Sequence, residues 1–257
     1  MTELTYYPLS VIFVVSLLLF VVAGELGHWL GQRSGDGSEN VATLKAAILG
    51  LLALMIGFTF AMAQTRFELR RDSVLNEANT IGTTALRARL LPPPHNTECL
   101  ALLREYVKVR LDITRRIPTA AEFDAAIAKS NAVQEALWQQ ARAVATKNDA
   151  MVPTGLFIQA LNEMIDSQGK RVAAARSRVP NIVLLALYAI AAVAIGYASY
   201  GRTLEGRDWR TAVYVTGIIT ACVILLIQDL DRPSDGFINV SQQPMVDLAA
   251  SLASYSD

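Results

Sequence analysis

The sequence predicts an all-α protein, with four membrane spans and a cytoplasmic helical bundle formed partly by extensions of spans two and three. Three observations predict it. Four apolar stretches recur near residues 8–30, 43–63, 181–200 and 211–230, each close to the ~20 residues that cross a ~30 Å hydrocarbon layer as a helix. Aromatic side chains stand at their ends: Tyr6 and Tyr7 before the first, Trp29 closing it, Tyr197 and Tyr200 ending the third, Trp209 and Tyr214 opening the fourth. Such rings favour the membrane–water boundary because the ring body avoids water and the polar tip seeks it. The residues between spans two and three carry apolar positions at helical spacing, with no alternating strand-like run.

The composition agrees. Of 257 residues, 53% are apolar and only 18% charged, against roughly a quarter charged in an average soluble chain. Lys and Arg number 23, and Asp and Glu also 23. A net charge of zero argues against a nucleic-acid partner, which calls for a strongly basic surface. The partner this composition calls for is the lipid bilayer.

Span one is expected to be retained rather than cleaved. No Lys or Arg precedes it, and its apolar core exceeds a signal-peptide h-region. Four spans place both termini and the middle segment on one face. Near the membrane that face carries Arg66, Arg70, Arg71, Lys170, Arg171, Arg176, Arg178 and Arg232, against Arg33, Lys45, Arg202, Arg207 and Arg210 on the other, eight against five. The positive-inside rule makes the first face cytoplasmic. The organisation is then spans one and two in 1–63, a cytoplasmic helical domain in 64–179, spans three and four in 180–232, and a cytoplasmic C-terminal tail in 233–257. Cys99 and Cys222 fall in different environments, so no disulfide is expected, in keeping with a reducing compartment.

Span two has no stop signal at its cytoplasmic end. Its pattern continues through Phe67, Val74, Ala78, Ile81 and Ala85 until Pro92, Pro93 and Pro94 end it. A helix of that extent is about 70 Å long at about 1.5 Å per residue. A second bundle helix is expected over 97–117, ended by Pro118. Thr119 and Glu122 form a capping box for a third, running to about residue 146. A loop at 147–149 precedes a fourth, from residue 153 or 154, that runs toward span three with a bend at Pro180. His95 is expected in a solvated loop.

Several residues are candidates for function. Glu25 and His28 share one face near the outer end of span one. They could anchor the helix at the interface, contact a proton or ion, or contribute to a metal site, although spans two and three offer no further carboxylates. Along span two, Gly50, Ala53, Gly57 and Ala61 form a small-residue face that lets another helix approach closely. Beside it run Leu49, Ile56, Phe60 and Phe67, with Gln64 at the margin. These could pack or face lipid, or line a hydrophobic constriction that gates ions by dewetting. Arg66, Arg70 and Arg71 would then stand at its cytoplasmic mouth, offset by Glu68 and Asp72, or else serve as topology anchors. The run Gln228-Asp229-Leu230-Asp231-Arg232-Pro233 reads as an interfacial helix end or a cation contact. The chain carries no Gly-rich phosphate loop, His-Glu-x-x-His, Cys-x-x-Cys or nucleophile elbow, so neither an enzyme, a cofactor nor a metal is expected.

Two stretches carry a family resemblance. One is Gly50-Leu-Leu-Ala-Leu-Met-Ile-Gly57-Phe-Thr-Phe-Ala61 with Arg66, Arg70 and Arg71. The other is Asn76-Glu77-Ala78-Asn79-Thr80-Ile81-Gly82-Thr83, then Arg87-Ala-Arg89-Leu-Leu-Pro92 and Arg104-Glu105-Tyr106. With Asp231-Arg232-Pro233 they resemble the bestrophin-like family of bacterial membrane proteins, distantly similar to the bestrophin ion channels. The resemblance implies a homo-oligomer, a pentamer, in the bacterial inner membrane, conducting inorganic ions through a pore lined by span two with a neck of Ile and Phe side chains. The chain lacks an acidic calcium-clasp run, so calcium activation is not carried over. Glu77 and Asn79 would form a polar network in the cytoplasmic bundle, and Gly82 would permit close helix contact. The competing class is a non-conducting membrane scaffold or signalling protein whose bundle binds a partner, favoured by the lack of charged groups in the middle of every span.

Overall fold

The computed structural model describes residues 7–33, 41–114, 119–147, 151–204, 210–233 and 236–255. Among them the chain is helical, in the order α1 (Leu9–Arg33), α2 (Val41–Ala88), α3 (His95–Asp112), α4 (Ala120–Lys147), α5 (Met151–Arg176), α6 (Asn181–Leu204), α7 (Arg210–Asp231) and α8 (Gln243–Ala253), with no strand. Four helical stretches, α1, α2, the one containing α6, and α7, are long and apolar enough to cross a membrane. Helices are the form such stretches take because a lipid interior offers no water to backbone N–H and C=O groups. Tyr6, Arg207, Trp209, Pro118 and most of the expected 147–149 loop lie outside the described residues; Lys147 is the last residue of α4.

The chain forms two compact units. The first holds residues up to Phe67, Arg178–Arg232 and Gly236–Ile238; the second holds Glu68–Ser177, Pro233–Asp235 and Asn239–Asp257. In the first unit, α1 buries one stripe: Leu9, Ile12, Ser16, Phe20, Gly24, Gly27 and Gly31. Steps of three and four keep these residues on one face. The stripe ends in glycines because α6 passes there at backbone contact. A Cβ on Gly27 would collide with the Gly196 carbonyl, and one on Gly31 would lie 3.1 Å from the Tyr200 carbonyl oxygen. Phe20, Leu187, Ile195, Ile224 and Ile227 fill the centre of this unit.

In the second unit, Ile81, Ala85, Leu100, Leu103, Leu137, Phe157, Leu161 and Met164 make one core drawn from α2, α3, α4 and α5. α2 closes with Leu90 N–H to the Arg87 carbonyl and Leu91 N–H to the Ala88 carbonyl, each 3.1 Å, a tightening that precedes the prolines. The capping box forms: Glu122 N–H donates to Thr119 Oγ1 at 3.3 Å, and Thr119 N–H donates to Glu122 Oε2 at 2.9 Å.

Four details differ from expectation. α3 ends at Asp112, not 117, capped by Ile113. α5 ends at Arg176, and Ser177–Pro180 separates it from α6, because the residue before a proline is disfavoured in helix. His95 opens α3, half-buried, with Nδ1 2.6 Å from Gln140 Oε1. The C-terminal segment carries α8, whose Met245 and Leu252 are buried in the second unit's core. Arg104 holds the end of α8, donating from Nε to the Leu252 carbonyl at 3.0 Å and from Nη2 to the Tyr255 carbonyl at 2.7 Å.

The glycine contact yields a first prediction. Gly27→Ala must push α1 off α6, an overpacking that costs about 1–3 kcal/mol. Gly57→Ala meets no atom within 4 Å among the described residues and should be neutral or slightly stabilising in the detergent-solubilised chain. Thermal unfolding should show a lowered Tm for the first variant alone; equal Tm values would mean that α1 and α6 do not meet through Gly27.

Candidate functional site

Two features stand out, one in each unit. In the first, α2 turns only one side inward. Leu52, Thr59 and Ala63 are buried, and Leu49, Ile56 and Phe67 are half-buried against the unit's core. The opposite stripe, Gly50, Ala53, Gly57 and Ala61, is exposed. A Cβ on Gly50 or Gly57 would meet nothing within 4 Å. Phe60 is 36% exposed and Phe58 62%, and Gln64 is half-buried. The expected line of large side chains is therefore covered unequally. Phe60 and Gln64 border the open stripe, while Leu49, Ile56 and Phe67 pack against the core of the first unit. At 3.6 residues per turn, steps of three, four and seven keep all five on one face, so they differ in how much the rest of the unit covers them and not in the side of the helix they occupy.

The three arginines part in the same way. Arg70 is buried, with Nη1 3.4 Å from the Ser177 carbonyl in the second unit. Arg66 is half-buried in the first unit, and Arg71 is exposed.

The second feature is a cluster around Glu77. Its carboxylate is fully buried. Arg110 reaches it from α3, with Nε 2.9 Å from Oε1 and Nη2 donating to Oε2 at 3.3 Å. Arg171 reaches it from α5, with Nη1 donating to Oε2. Tyr106 donates its hydroxyl proton to Oε1 at 3.0 Å. Gln134 of α4 donates to the Tyr106 oxygen at 3.3 Å and to Gln168 Oε1, and Gln168 donates to Asn131 Oδ1 at 3.2 Å. Arg171 Nη2 donates to Gln242 Oε1, just before α8, at 2.8 Å. Burial alone raises the pKa of Glu77, but the two guanidiniums and the hydrogen bonds from Arg171 and Tyr106 outweigh it and hold the carboxyl below its ordinary range. Burial, and then the Glu77 charge, push the Tyr106 hydroxyl up, so it stays a proton donor. Asn79 is exposed and stands outside the cluster, since residues two apart on a helix do not share a face. Gly82 faces α8, where a Cβ would lie 3.4 Å from Leu248 Cδ1.

Glu25 and His28 do not act as a pair. Glu25 Oε1 accepts from the Tyr214 hydroxyl of α7 at 2.9 Å. His28 Nδ1 lies 2.7 Å from Thr203 Oγ1 of α6, and its Nε2 lies 2.9 Å from Gln32 Nε2. Thr203 Oγ1 also donates to the Ser199 carbonyl at 2.9 Å. Among the described residues no group of three or more His, Cys, Asp or Glu is placed to hold a metal ion.

Sequence reasoning does not find the partners of three sets of residues. Arg110 and Arg171 occupy core positions of their helices, as the spacings 103–107–110 and 164–168–171 could have signalled. Ser16, Tyr188 and Gln228 form a polar chain across α1, α6 and α7. Gln228 Nε2 donates to the Tyr188 oxygen at 2.9 Å, Tyr188 lies 3.0 Å from Ser16 Oγ, and Ser16 donates to the Ile12 carbonyl at 2.6 Å. Asp229 and Asp231 spend their carboxylates on backbone N–H groups, those of Phe237 and Ile238 for Asp229 and that of Val179 for Asp231.

The cluster sets a second prediction. Glu77→Gln leaves two buried guanidiniums without a counter-charge and should cost about 3–5 kcal/mol at neutral pH. Tyr106→Phe should cost less, about 1.5–3 kcal/mol. Because the folded carboxyl titrates below its ordinary value of 4.5, its contribution is complete above that value and is lost as pH falls through the folded pKa. Tm against pH should show an acid limb that flattens in Glu77→Gln; an unchanged limb would mean that another carboxylate sets it.

Residues 11–245 match the family model described as the Bestrophin-like domain. No curated protein matches the chain. Among solved structures, two variants of a bacterial bestrophin homologue from Klebsiella pneumoniae are similar in fold. One is 17% identical with a TM-score of 0.64, covering 94% of this chain and 96% of that one. The other is 15% identical with a TM-score of 0.66, covering 96% and 99%. An all-helical chain with four candidate spans, matched by the family model over nearly its whole length, belongs to the bestrophin-like family.

Proposed function

We propose that the protein is a homo-oligomeric bestrophin-like ion channel, with the open stripe of α2 turned to a central axis. The supporting observation is that stripe: Gly50, Ala53, Gly57 and Ala61 are small, apolar and uncovered by their own chain, with Phe60 projecting beside them. Small residues let equivalent helices gather closely, and a ring of Phe60 side chains would form a neck that dewets and so gates ions. Leu49, Ile56, Gln64 and Phe67 complete the proposed lining, and Arg66 and Arg71 its cytoplasmic mouth, in which the buried Arg70 takes no part. Five subunits, the bacterial inner membrane and cytoplasmic termini follow from the family resemblance and the charge asymmetry of the loops. The Glu77 cluster would hold the cytoplasmic bundle rigid, and Glu25 and His28 would tie the outer ends of the spans together. The process needs no covalent chemistry, and inorganic ions are its substrates.

A second reading is a non-conducting scaffold whose bundle binds a partner protein. The exposure of Leu86, Leu90 and Val152 in the second unit favours it.

Flux through vesicles separates the two. Phe60→Ala widens the proposed neck and should raise ion leak from reconstituted liposomes several-fold over the unsubstituted protein. If flux stays at the level of empty liposomes for both proteins while the assembly remains intact, conduction is excluded and the scaffold stands.

A further inference from the structure

We infer that the turn Gly236–Ile238 is a lipid anchor, in which Phe237 inserts at the headgroup–acyl boundary on the side of the bilayer where α1 begins and α7 ends. Phe237 is 84% exposed, yet its backbone is pinned. Asp229 Oδ1 accepts its N–H at 2.7 Å, and Asp229 Oδ2 accepts the Ile238 N–H at 3.0 Å. Asp229 lies in the last turn of α7, so the chain leaves the helix and folds back beside it instead of departing into water. Ile238 points inward, packed against the apolar core of the first unit. Gly236 allows the turn, because a Cβ there would collide with the Asp229 carboxylate.

The depth of this turn identifies its partner. Asp229, Asp231 and Arg232 put the end of α7 at the polar boundary of the membrane, where ionic groups meet headgroups. Arg232, itself buried, donates to the Tyr7 carbonyl just ahead of α1, and Tyr7 is 49% exposed. Two exposed aromatic rings are thus fixed through their backbones to Asp229 and Arg232, three residues apart at the end of α7. An aromatic ring held at this level meets lipid, and pinning it beforehand removes the ordering cost of insertion.

The test replaces Phe237 by photoreactive p-benzoylphenylalanine in the full chain, reconstituted in vesicles of phosphatidylethanolamine and phosphatidylglycerol. Irradiation followed by intact mass measurement should give a species heavier by one phospholipid. Adding Asp229→Ala, which frees the turn, should lower the adduct yield several-fold. A protein–protein product of doubled mass would assign Phe237 to a subunit interface and overturn the anchor, as would the absence of any adduct. An equal yield with and without Asp229 would overturn the role given to the pinned backbone.

Discussion

One buried carboxylate organises the second unit. Removing Glu77 from water costs several kcal/mol, and only excellent pairing recovers that cost. The pairing here is close to the most a carboxylate can accept: two guanidiniums and a phenol. Tyr106 and Arg110 reach it from α3 and Arg171 from α5, so the cluster forms only when α2, α3 and α5 are in register. The amide relay through Gln134 and Gln168 adds α4, and Gln242 adds the entry to α8. The apolar core around Ile81, Leu103 and Phe157 provides most of the driving force for collapse. It is non-directional, however, and the charges restrict which collapsed arrangement is satisfied.

The first unit solves a different problem. Between helices in lipid, apolar burial drives nothing, because lipid tails are as apolar as leucine. Close packing and a few hydrogen bonds remain. The Gly27–Gly196 contact supplies the packing, and the chain from Gln228 through Tyr188 to Ser16 supplies hydrogen bonds across three helices. α2 has neither device on its open stripe. Its small residues are the type that brings α1 and α6 together, but a Cβ on Gly50 or Gly57 would meet nothing within 4 Å among the described residues.

Local signals were readable in advance and distant ones were not. Span positions, the continuous α2, the triple-proline stop and the Thr119–Glu122 box depend on residues within a few turns, and periodicity and capping describe them fully. Glu77 was visible through its motif. Its partners were not, because a basic residue in a helical run looks the same whether it faces water or a carboxylate on another helix. Only the register of Arg110 and Arg171 on apolar faces hinted at burial. α8 is hard to read from sequence, because eleven residues make a marginal helix alone. Its Met245, Leu248 and Leu252 spacing becomes decisive only once the core beside it and the cap from Arg104 exist.

The arginines after span two show why composition misjudges a local field. Counted in sequence, Arg66, Arg70 and Arg71 make a positive belt that Glu68 and Asp72 only soften. Burial changes the sum. Arg70 is withdrawn to the end of α5, where the Ser177 carbonyl accepts from it, and Arg66 is half-buried. Glu68, Arg71 and Asp72 are the exposed members. A charge taken out of contact with water acts first on the groups packed around it, and salt screens it less than it screens an exposed one. The exposed set carries two negative groups and one positive. The basic excess that helps fix orientation during insertion is therefore not the field that the folded surface presents, and the same residues cannot be read for both.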